Sequence, residues 1–174
     1  MIYVGRLHRE KLVDDLLKMM VVLKDLVKED CKIILLVIGG GPKKNNLQKL
    51  AFELKVNNIV NFLGSFPNNK IPRYLMGSHV FVSPLTGTSL REAALCGLPI
   101  IAYRMDWISN LLKNEETALL VEPGDYTEMA KQVLRLIDDK ELCHKLSVNI
   151  KKLALQLWSL EGIENDLAKV FGGT

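Results

Sequence analysis

Short apolar runs alternate with longer amphipathic stretches along the whole chain. Six of these runs, most of them rich in β-branched residues and without polar alternation, predict buried strands. The predicted strands are Ile2–Val4, Lys32–Ile38, Ile59–Leu63, His79–Ser83, Pro99–Ala102 and Ala118–Val121. Continuous apolar strands separated by helices are typical of a parallel sheet covered on both faces. We therefore predict an α/β fold, a doubly wound Rossmann-like parallel sheet of about six strands with helices on both faces.

The amphipathic stretches predict helices that connect and follow these strands. They are Glu10–Glu29, Leu47–Lys55, Asn69–Met76, Ser89–Cys96, Trp107–Lys113, Tyr126–Ile137, Lys140–Leu155 and about Leu160–Val170. Asp125, with Glu128 three residues later, predicts a capping box at the beginning of the sixth helix. No repeat, low-complexity tract or linker interrupts this order, so we expect residues 1–174 to form a single domain.

Composition narrows the class of protein. The chain has 174 residues, 48% hydrophobic and 25% charged, which suits one packed core. Its net charge of +3 is small and its lysines are spread along the helices, so nucleic acid is not an expected partner. No signal peptide or long apolar run is present, and we expect a cytoplasmic location. Three widely spaced cysteines and three histidines fit neither a disulfide framework nor a metal site.

The junction from Ser83 to Pro99 carries the first candidate site. A predicted strand is followed by a turn that contains Gly87 and small hydroxyl residues, and then by a helix with one carboxylate, Glu92. Helix N-terminal amides attract phosphate, and a glycine allows the backbone to approach a ligand closely. This layout predicts a site for an anion with a sugar attached.

A second candidate phosphate site follows the first predicted strand. Arg6 and Lys11 lie in the loop and the first helical turn after it. A guanidinium and a mobile ammonium suit diphosphate oxygens, and a bound anion would offset the unfavourable position of Lys11 beside a positive helix end. Loops that leave the carboxyl ends of parallel strands share one edge, so both segments are expected to face one nucleoside-diphosphate compound.

A collinear series of motifs covers about nine tenths of the chain. In order they are VGRL at 4–7, EK at 10–11, IGGGP at 38–42, VNFLGSFP at 60–67, IPRYLMGSHVFVSP at 71–84, REAALCGLPIIA at 91–102 and ALLVEPGD at 118–125. This series resembles the C-terminal, donor-binding half of GT-B glycosyltransferases of retaining family 4, the glycosyl transferases group 1.

The resemblance implies roles for individual residues. Arg6 and Lys11 would be catalytic and hold the donor diphosphate, amides near residues 87–90 would face the distal phosphate and sugar, and Glu92 would accept hydrogen bonds from ribose hydroxyls. Segments 39–42 and 64–71 would line the nucleotide pocket. The implied donor-binding residues are Gly5, Gly39, Gly41, Ser65, Ile71, Thr86, Gly87, Thr88, Ser89, Leu90 and Glu92.

The resemblance also implies an activity, its substrates and its partners. We expect metal-independent transfer of a sugar from a UDP-sugar or GDP-sugar, without a cofactor, in polysaccharide or glycoconjugate biosynthesis. The acceptor, a glycan, a lipid or a small molecule, would bind a missing N-terminal domain or subunit, toward which a tail helix at 158–174 would reach. An acceptor at a membrane surface fits that arrangement, and the chain alone is expected to be inactive.

Some positions depart from the family pattern or have a structural alternative. Pro84 stands where the first acid of the E-x7-E pattern is expected, with Thr86 the nearest polar substitute, and Leu12 replaces a usual glycine. Ser89 and Glu92 also have capping-box spacing, and Gly39 to Gly41 fit a tight turn. A non-catalytic nucleotide-sugar binding module, a sugar-nucleotide epimerase half and a flavodoxin-like signalling domain remain alternatives. Arg73, Arg91 and Arg104 are expected to be surface charges, with Arg91 the one nearest a phosphate.

Overall fold

A computed structural model of the chain describes residues 1–85, 87–105 and 108–158. Within these ranges six strands form one sheet in the order β3-β2-β1-β4-β5-β6, and every neighbouring pair is parallel. The strands are β1 (Ile2–Val4), β2 (Leu35–Ile38), β3 (Val60–Gly64), β4 (Phe81–Ser83), β5 (Ile100–Tyr103) and β6 (Leu119–Val121). The predicted doubly wound parallel sheet is confirmed.

Helices cover both faces of this sheet. They are α1 (Val13–Leu26), α2 (Lys44–Glu53), α3 (Ile71–Met76), α4 (Ser89–Leu95), α5 (Ile108–Leu111), α6 (Tyr126–Asp138) and α7 (Lys140–Trp158), with 3-10 turns at Arg9–Lys11 and Asn68–Lys70. One hydrophobic core lies under α1, α2 and α6, and a second lies under α3, α4, α5 and α7. None of the helices within the described ranges combines the length and the apolar character that a membrane crossing needs.

Packing explains why the helices form where they do. In α1 the side chains of Leu16, Leu17, Met20 and Leu23, spaced at helical intervals, are fully buried against the sheet. In α4 the small residues Ala93 and Ala94 are fully buried in the core that also contains Ile150 and Ala154 of α7. Each fully buried leucine stabilises the fold by about 1.5 to 3 kcal/mol.

Several predicted element boundaries are wrong. Strand β2 begins at Leu35 rather than Lys32, because its pairing with β3 starts at Leu35 and its pairing with β1 at Leu36. Strand β4 begins at Phe81, and His79 lies exposed in the bend before it instead of within a strand. The predicted helix at 160–170 and the rest of the tail after Trp158 lie outside the described residues.

The predicted helix Glu10–Glu29 is also interrupted. Leu12 has a left-handed backbone with φ of 50°, which separates the 3-10 turn at Arg9–Lys11 from α1. Lys11 therefore belongs to the turn rather than to the long helix. The predicted N-cap of α6 is confirmed, since the Asp125 carboxylate accepts a hydrogen bond from the Glu128 amide at 2.8 Å. The Glu128 carboxylate accepts from the side chain of Gln132 at 2.6 Å instead of returning to Asp125.

Candidate functional site

A cavity of about 510 Å³ opens where the carboxyl ends of β1, β2 and β4 meet. Its walls come from the loops that follow β1, β2, β3 and β4, as expected at the edge of a parallel sheet where the strand order reverses. The predicted site residues that line it are Gly5, Arg6, Lys11, Gly39, Ser65, Ile71, Gly87, Thr88, Ser89 and Glu92. The two segments singled out from the sequence therefore share one cavity.

Lys11 and Gly87 bring the two segments into direct proximity. The Lys11 Nζ atom lies 3.9 Å from the position that a Cβ atom on Gly87 would occupy. A larger residue at 87 would thus fill space beside the ammonium group. The glycine keeps that space open for a ligand.

Two cations in the wall have no anionic partner in the described part of the chain. Arg6 is exposed and Lys11 is half-buried. Among the described residues, neither side chain lies within 4 Å of a carboxylate. Their positive charge is therefore available to an anion that enters the cavity.

The beginning of α4 differs from the sequence prediction in two respects. Ser89 is buried and its hydroxyl donates a hydrogen bond to the Val4 carbonyl at 2.6 Å, so the alternative of a Ser89–Glu92 capping box is wrong. The Leu90 amide donates to the Gly87 carbonyl at 3.1 Å, and the Leu90 side chain is fully buried outside the cavity wall. The residues at the beginning of α4 that line the cavity are consequently Gly87, Thr88 and Ser89, followed by Glu92.

Glu92 is the one carboxylate that lines this cavity in the described ranges. Desolvation by burial raises the pKa of its carboxyl group above the usual 4.5. No cation among the described residues forms an ion pair with it. Its oxygens are therefore open to hydroxyl donors on a ligand.

The glycine-rich loop after β2 packs on the loop after β1. A Cβ atom on Gly39, whose φ is 139°, would overlap the Gly5 carbonyl oxygen, and one on Gly41 would lie 2.5 Å from the Leu7 carbonyl oxygen. The Leu7 amide also donates to the Gly40 carbonyl at 2.8 Å. Close contact between backbones thus explains these glycines. Gly41 faces Leu7 and is absent from the cavity wall.

The Tyr3 side chain forms a hydrogen bond with the backbone of the Arg6 turn. Its hydroxyl donates to the Arg6 carbonyl at 3.3 Å, and a Cβ atom on Gly5 would lie 2.6 Å from that hydroxyl. Burial raises the pKa of Tyr3, which keeps the phenol protonated and able to donate. The sequence does not predict Tyr3 as a site residue, because its position inside a strand gives no sign of which way it faces.

Other wall residues are also missing from the sequence prediction as individuals. They are Val4, Ile38, Gly40, Phe66, Asn68 and Leu85. Phe66 and Asn68 fall within the predicted pocket segment 64–71, and the Phe66 ring packs on Tyr74 with centroids 4.8 Å apart. The sequence predicts that this loop lines the pocket, but it does not show which of its residues face the cavity. Thr86, and Trp107 at the beginning of the fifth predicted helix, lie outside the described residues.

The remaining candidates lie away from the cavity wall. The Arg91 guanidinium lies over the Trp158 ring of α7, 5.6 Å from its centroid, rather than beside a phosphate position. Arg104 pairs with Glu122 at 3.4 Å on the surface.

Cys31, Cys96 and Cys143 are free and partly buried. Across the described ranges, no three His, Cys, Asp or Glu residues converge on a position that would hold a metal ion.

Known proteins share this sequence pattern and fold. Over 98% of its length the chain is 26% identical to an alpha-D-kanosaminyltransferase of Streptomyces kanamyceticus, of which it covers 44%. It superposes with a TM-score of 0.84 on HepE of Anabaena, crystallised with UDP-glucose, at 20% identity over 98% of this chain and 48% of that one. A C-terminal domain of a group 1 glycosyl transferase from Francisella tularensis gives a TM-score of 0.76 at 20% identity, covering 91% of this chain and 85% of that one.

The chain spans less than half the length of the curated relatives it matches. A family model also matches the sequence, and it extends over residues 1–153 and so contains every cavity residue named above. The chain belongs to the glycosyl transferases group 1 family.

Proposed function

We propose that this chain is the donor-binding half of a retaining glycosyltransferase, which moves a sugar from a nucleoside-diphosphate sugar to an acceptor. One observation carries the proposal. Arg6 and Lys11, which have no anionic partner among the described residues, line the same cavity as Gly87 and Thr88 just before α4. A pyrophosphate needs this combination of positive charge and main-chain donors.

The proposed chemistry is stabilisation of the departing diphosphate. As the bond to the sugar breaks, negative charge grows on the leaving phosphate, and fixed positive groups lower the energy of that transition state. Arg6 and Lys11 supply this charge without a metal ion or a cofactor. Glu92 accepts hydrogen bonds from the ribose hydroxyls, while Gly5, Gly39, Ser65 and Ile71 surround the nucleoside.

The acceptor site belongs to a second domain in this proposal. The relatives and the HepE structure are about twice as long as the part that this chain matches. That domain would bind the acceptor and close over the donor, in the cytoplasm and for some acceptors at a membrane surface. The chain by itself would bind donor weakly and transfer little or no sugar.

Titration calorimetry with UDP and GDP tests the proposal directly. UDP is the first choice because HepE was crystallised with UDP-glucose. Arg6→Ala and Lys11→Ala should each weaken binding of the preferred nucleotide about tenfold or more, since a hydrogen bond to a charged group contributes about 1.5 to 3 kcal/mol. Arg73→Ala, an exposed arginine outside the cavity wall, is the matched control. Equal affinity of all the variants would overturn the site, and loss of binding on addition of EDTA would overturn the metal-free proposal.

A non-catalytic nucleotide-sugar binding module is the second candidate. Pro84 favours it, because this residue stands where the family pattern carries a sugar-facing acid. Both candidate functions predict the same nucleotide binding, but only the enzyme would turn over the donor. Release of UDP from UDP-sugar by the full-length protein in the presence of acceptor would support the enzyme, and donor binding without release would support the module.

A further inference from the structure

A second cleft, of about 300 Å³, lies between the N-terminal ends of α1 and α2. Arg9 and Lys11 stand at opposite ends of the same 3-10 turn, and only Lys11 lines the donor cavity, whereas Arg9 lines this cleft. Lys43 and Asn46 form its other wall. We infer that the cleft binds an organic anion, a phosphate or a carboxylate carried on an apolar skeleton.

The charges in the cleft favour an anion. Arg9 and Lys43 have no carboxylate within 4 Å among the described residues. Asp14 is the carboxylate in the wall, and Lys18 lies 3.8 Å from it. His8 also lines the cleft and stands 3.8 Å from Glu10. Two unpaired cations therefore face one carboxylate that already has a partner.

The beginning of α2 adds to this preference. Lys43 is its N-cap residue and makes no side-chain capping bond, and the first turn of α2 contains no acidic residue. Lysines at the positive end of a helix dipole are unfavourable. An anion held between Arg9 and Lys43 offsets that conflict, whereas the amides of Lys43 and Lys44 already donate to the Leu7 and Gly41 carbonyls at 3.0 and 3.1 Å.

The two walls are held together by backbone bonds. The Lys43 amide donates to the Leu7 carbonyl at 3.0 Å, two residues before Arg9. The Leu7 amide in turn donates to Gly40 at 2.8 Å. Because these bonds fix one loop on the other, the backbone loses little conformational entropy when a ligand joins Arg9 to Lys43, and the cost is confined to ordering the two side chains.

The floor of the cleft is apolar, and this selects the kind of anion. Leu12, Val13, Leu47 and Leu50 supply it. A bare inorganic ion would leave that surface in contact with water, whereas an alkyl or alicyclic group next to the anion would cover it. The cleft lies at the sheet edge that carries the donor cavity. If the proposed function holds, the acceptor that the second domain binds extends its anionic part into this cleft.

An NMR titration of the ¹⁵N-labelled chain with hexyl phosphate, and separately with inorganic phosphate, tests the inference. Hexyl phosphate should shift the amides of residues 9–14 and 43–50 in a saturable manner and bind several-fold more tightly than inorganic phosphate. Arg9→Ala and Lys43→Ala should each weaken it about tenfold. Asp14→Asn should tighten it, because it removes the opposing charge. Lys49→Ala, an exposed lysine of α2 outside the cleft, should leave the affinity unchanged.

Other results would overturn the inference. They are shifts confined to the donor cavity, the absence of saturation, or equal affinity in the Arg9, Lys43 and Asp14 variants. Spectra of each variant without ligand confirm that it is folded. Arg6→Ala should weaken UDP while leaving hexyl phosphate bound at the cleft, so failure of the donor site and failure of the cleft give different results.

Discussion

The Ser89 hydroxyl joins the two halves of the donor cavity by donating to the Val4 carbonyl at 2.6 Å, across 85 residues of sequence. Val4 ends β1 immediately before the Gly5–Arg6 turn, and Ser89 begins α4 directly after Thr88. One partly buried hydrogen bond thus joins the Arg6 turn directly to the N-terminus of α4, in addition to the pairing of β1 with β4. The geometry of the proposed diphosphate site depends on it.

Ser89→Ala should therefore reduce both stability and nucleotide affinity. The Val4 carbonyl loses a partly buried hydrogen-bond partner, which costs about 0.5 to 1.5 kcal/mol of unfolding free energy. The pairing of β1 with β4 remains, but the Arg6 turn and the α4 N-terminus lose the hydrogen bond that joins them directly, so UDP binding should weaken several-fold. Urea denaturation and calorimetry measure the two effects.

Ser147→Ala provides a matched control for this variant. The Ser147 hydroxyl also donates to a backbone carbonyl, that of Gly97, at 2.6 Å, but it does so away from the donor cavity. A similar loss of stability with unchanged UDP affinity is expected. If both variants bind UDP as well as the parent chain, the Ser89 bond has only a structural role.

At position 12 a glycine should give a more stable protein than an alanine, the reverse of the order at a helical position. Its φ of 50° lies in the left-handed region, which costs a side-chain-bearing residue about 1 to 2 kcal/mol relative to glycine. Both Leu12→Ala and Leu12→Gly lose the packing of a half-buried side chain, but only the glycine escapes the strain. Leu12→Gly should accordingly be about 1 kcal/mol more stable than Leu12→Ala in urea denaturation.

Lys24, in the last turn of α1, is the control position at which the alanine variant should be more stable than the glycine variant. Its backbone is helical, so the stability of Lys24→Ala should exceed that of Lys24→Gly by up to about 1 kcal/mol. The same order at both positions would contradict the left-handed conformation of Leu12.

Gly39→Ala should be among the most destabilising substitutions in the chain. A Cβ atom there overlaps the Gly5 carbonyl oxygen, and backbone on both sides leaves no flexible group that can give way. We expect a loss of about 4 kcal/mol or more, at the upper end of single-residue effects. Thermal unfolding followed by circular dichroism measures it.

Gly124→Ala separates backbone strain from steric overlap. Gly124 has a φ of 86°, but among the described residues no heavy atom lies within 4 Å of the position that its Cβ atom would occupy. Its substitution should cost only the strain, about 1 to 2 kcal/mol. Equal losses at the two glycines would mean that the loops after β1 and β2 do not pack closely against each other.

The sequence was sufficient for the architecture because strand and helix periods alternate without ambiguity. It also selected Arg6, Lys11 and Gly87, whose residue types suit an anionic group, and Glu92, whose carboxylate suits sugar hydroxyls; all four line the cavity. The topology explains why: loops after parallel strands must meet at one edge.

What the sequence could not predict depends on tertiary contacts. Ser89 and Glu92 have the spacing of a capping box, yet the Ser89 hydroxyl finds a carbonyl on a distant strand instead of an amide in its own helix. Leu12 is a good helix former, so the helical period gives no sign of its left-handed backbone, although the glycine usual at this position in the family pattern is consistent with it. Tyr3 lies in a buried strand, and the hydrogen bond from its hydroxyl to the Arg6 carbonyl can be recognised only from the three-dimensional position of the Arg6 turn.

The ionised Glu92 side chain should lower the stability of the folded chain and strengthen nucleotide binding, and both effects should depend on pH. Because burial raises the pKa of its carboxyl group, the folded state keeps the proton at pH values where the unfolded chain has lost it. The contribution of Glu92 to stability therefore falls as the pH rises from about its usual 4.5 through its higher value in the folded state. Glu92→Gln lacks this penalty, so it should unfold at a higher temperature than the parent chain at pH 7 and at the same temperature at pH 3.

Nucleotide binding should respond in the opposite direction. A carboxylate accepts ribose hydroxyl bonds more strongly than an amide, so Glu92→Gln should weaken UDP at pH 7 while the folded state gains stability. Calorimetry with UDP and thermal unfolding without ligand, both run from pH 3 to pH 8, give the two profiles. A variant that loses stability at pH 7 would show that Glu92 has a partner in the folded chain, and unchanged UDP affinity would remove it from the ribose site.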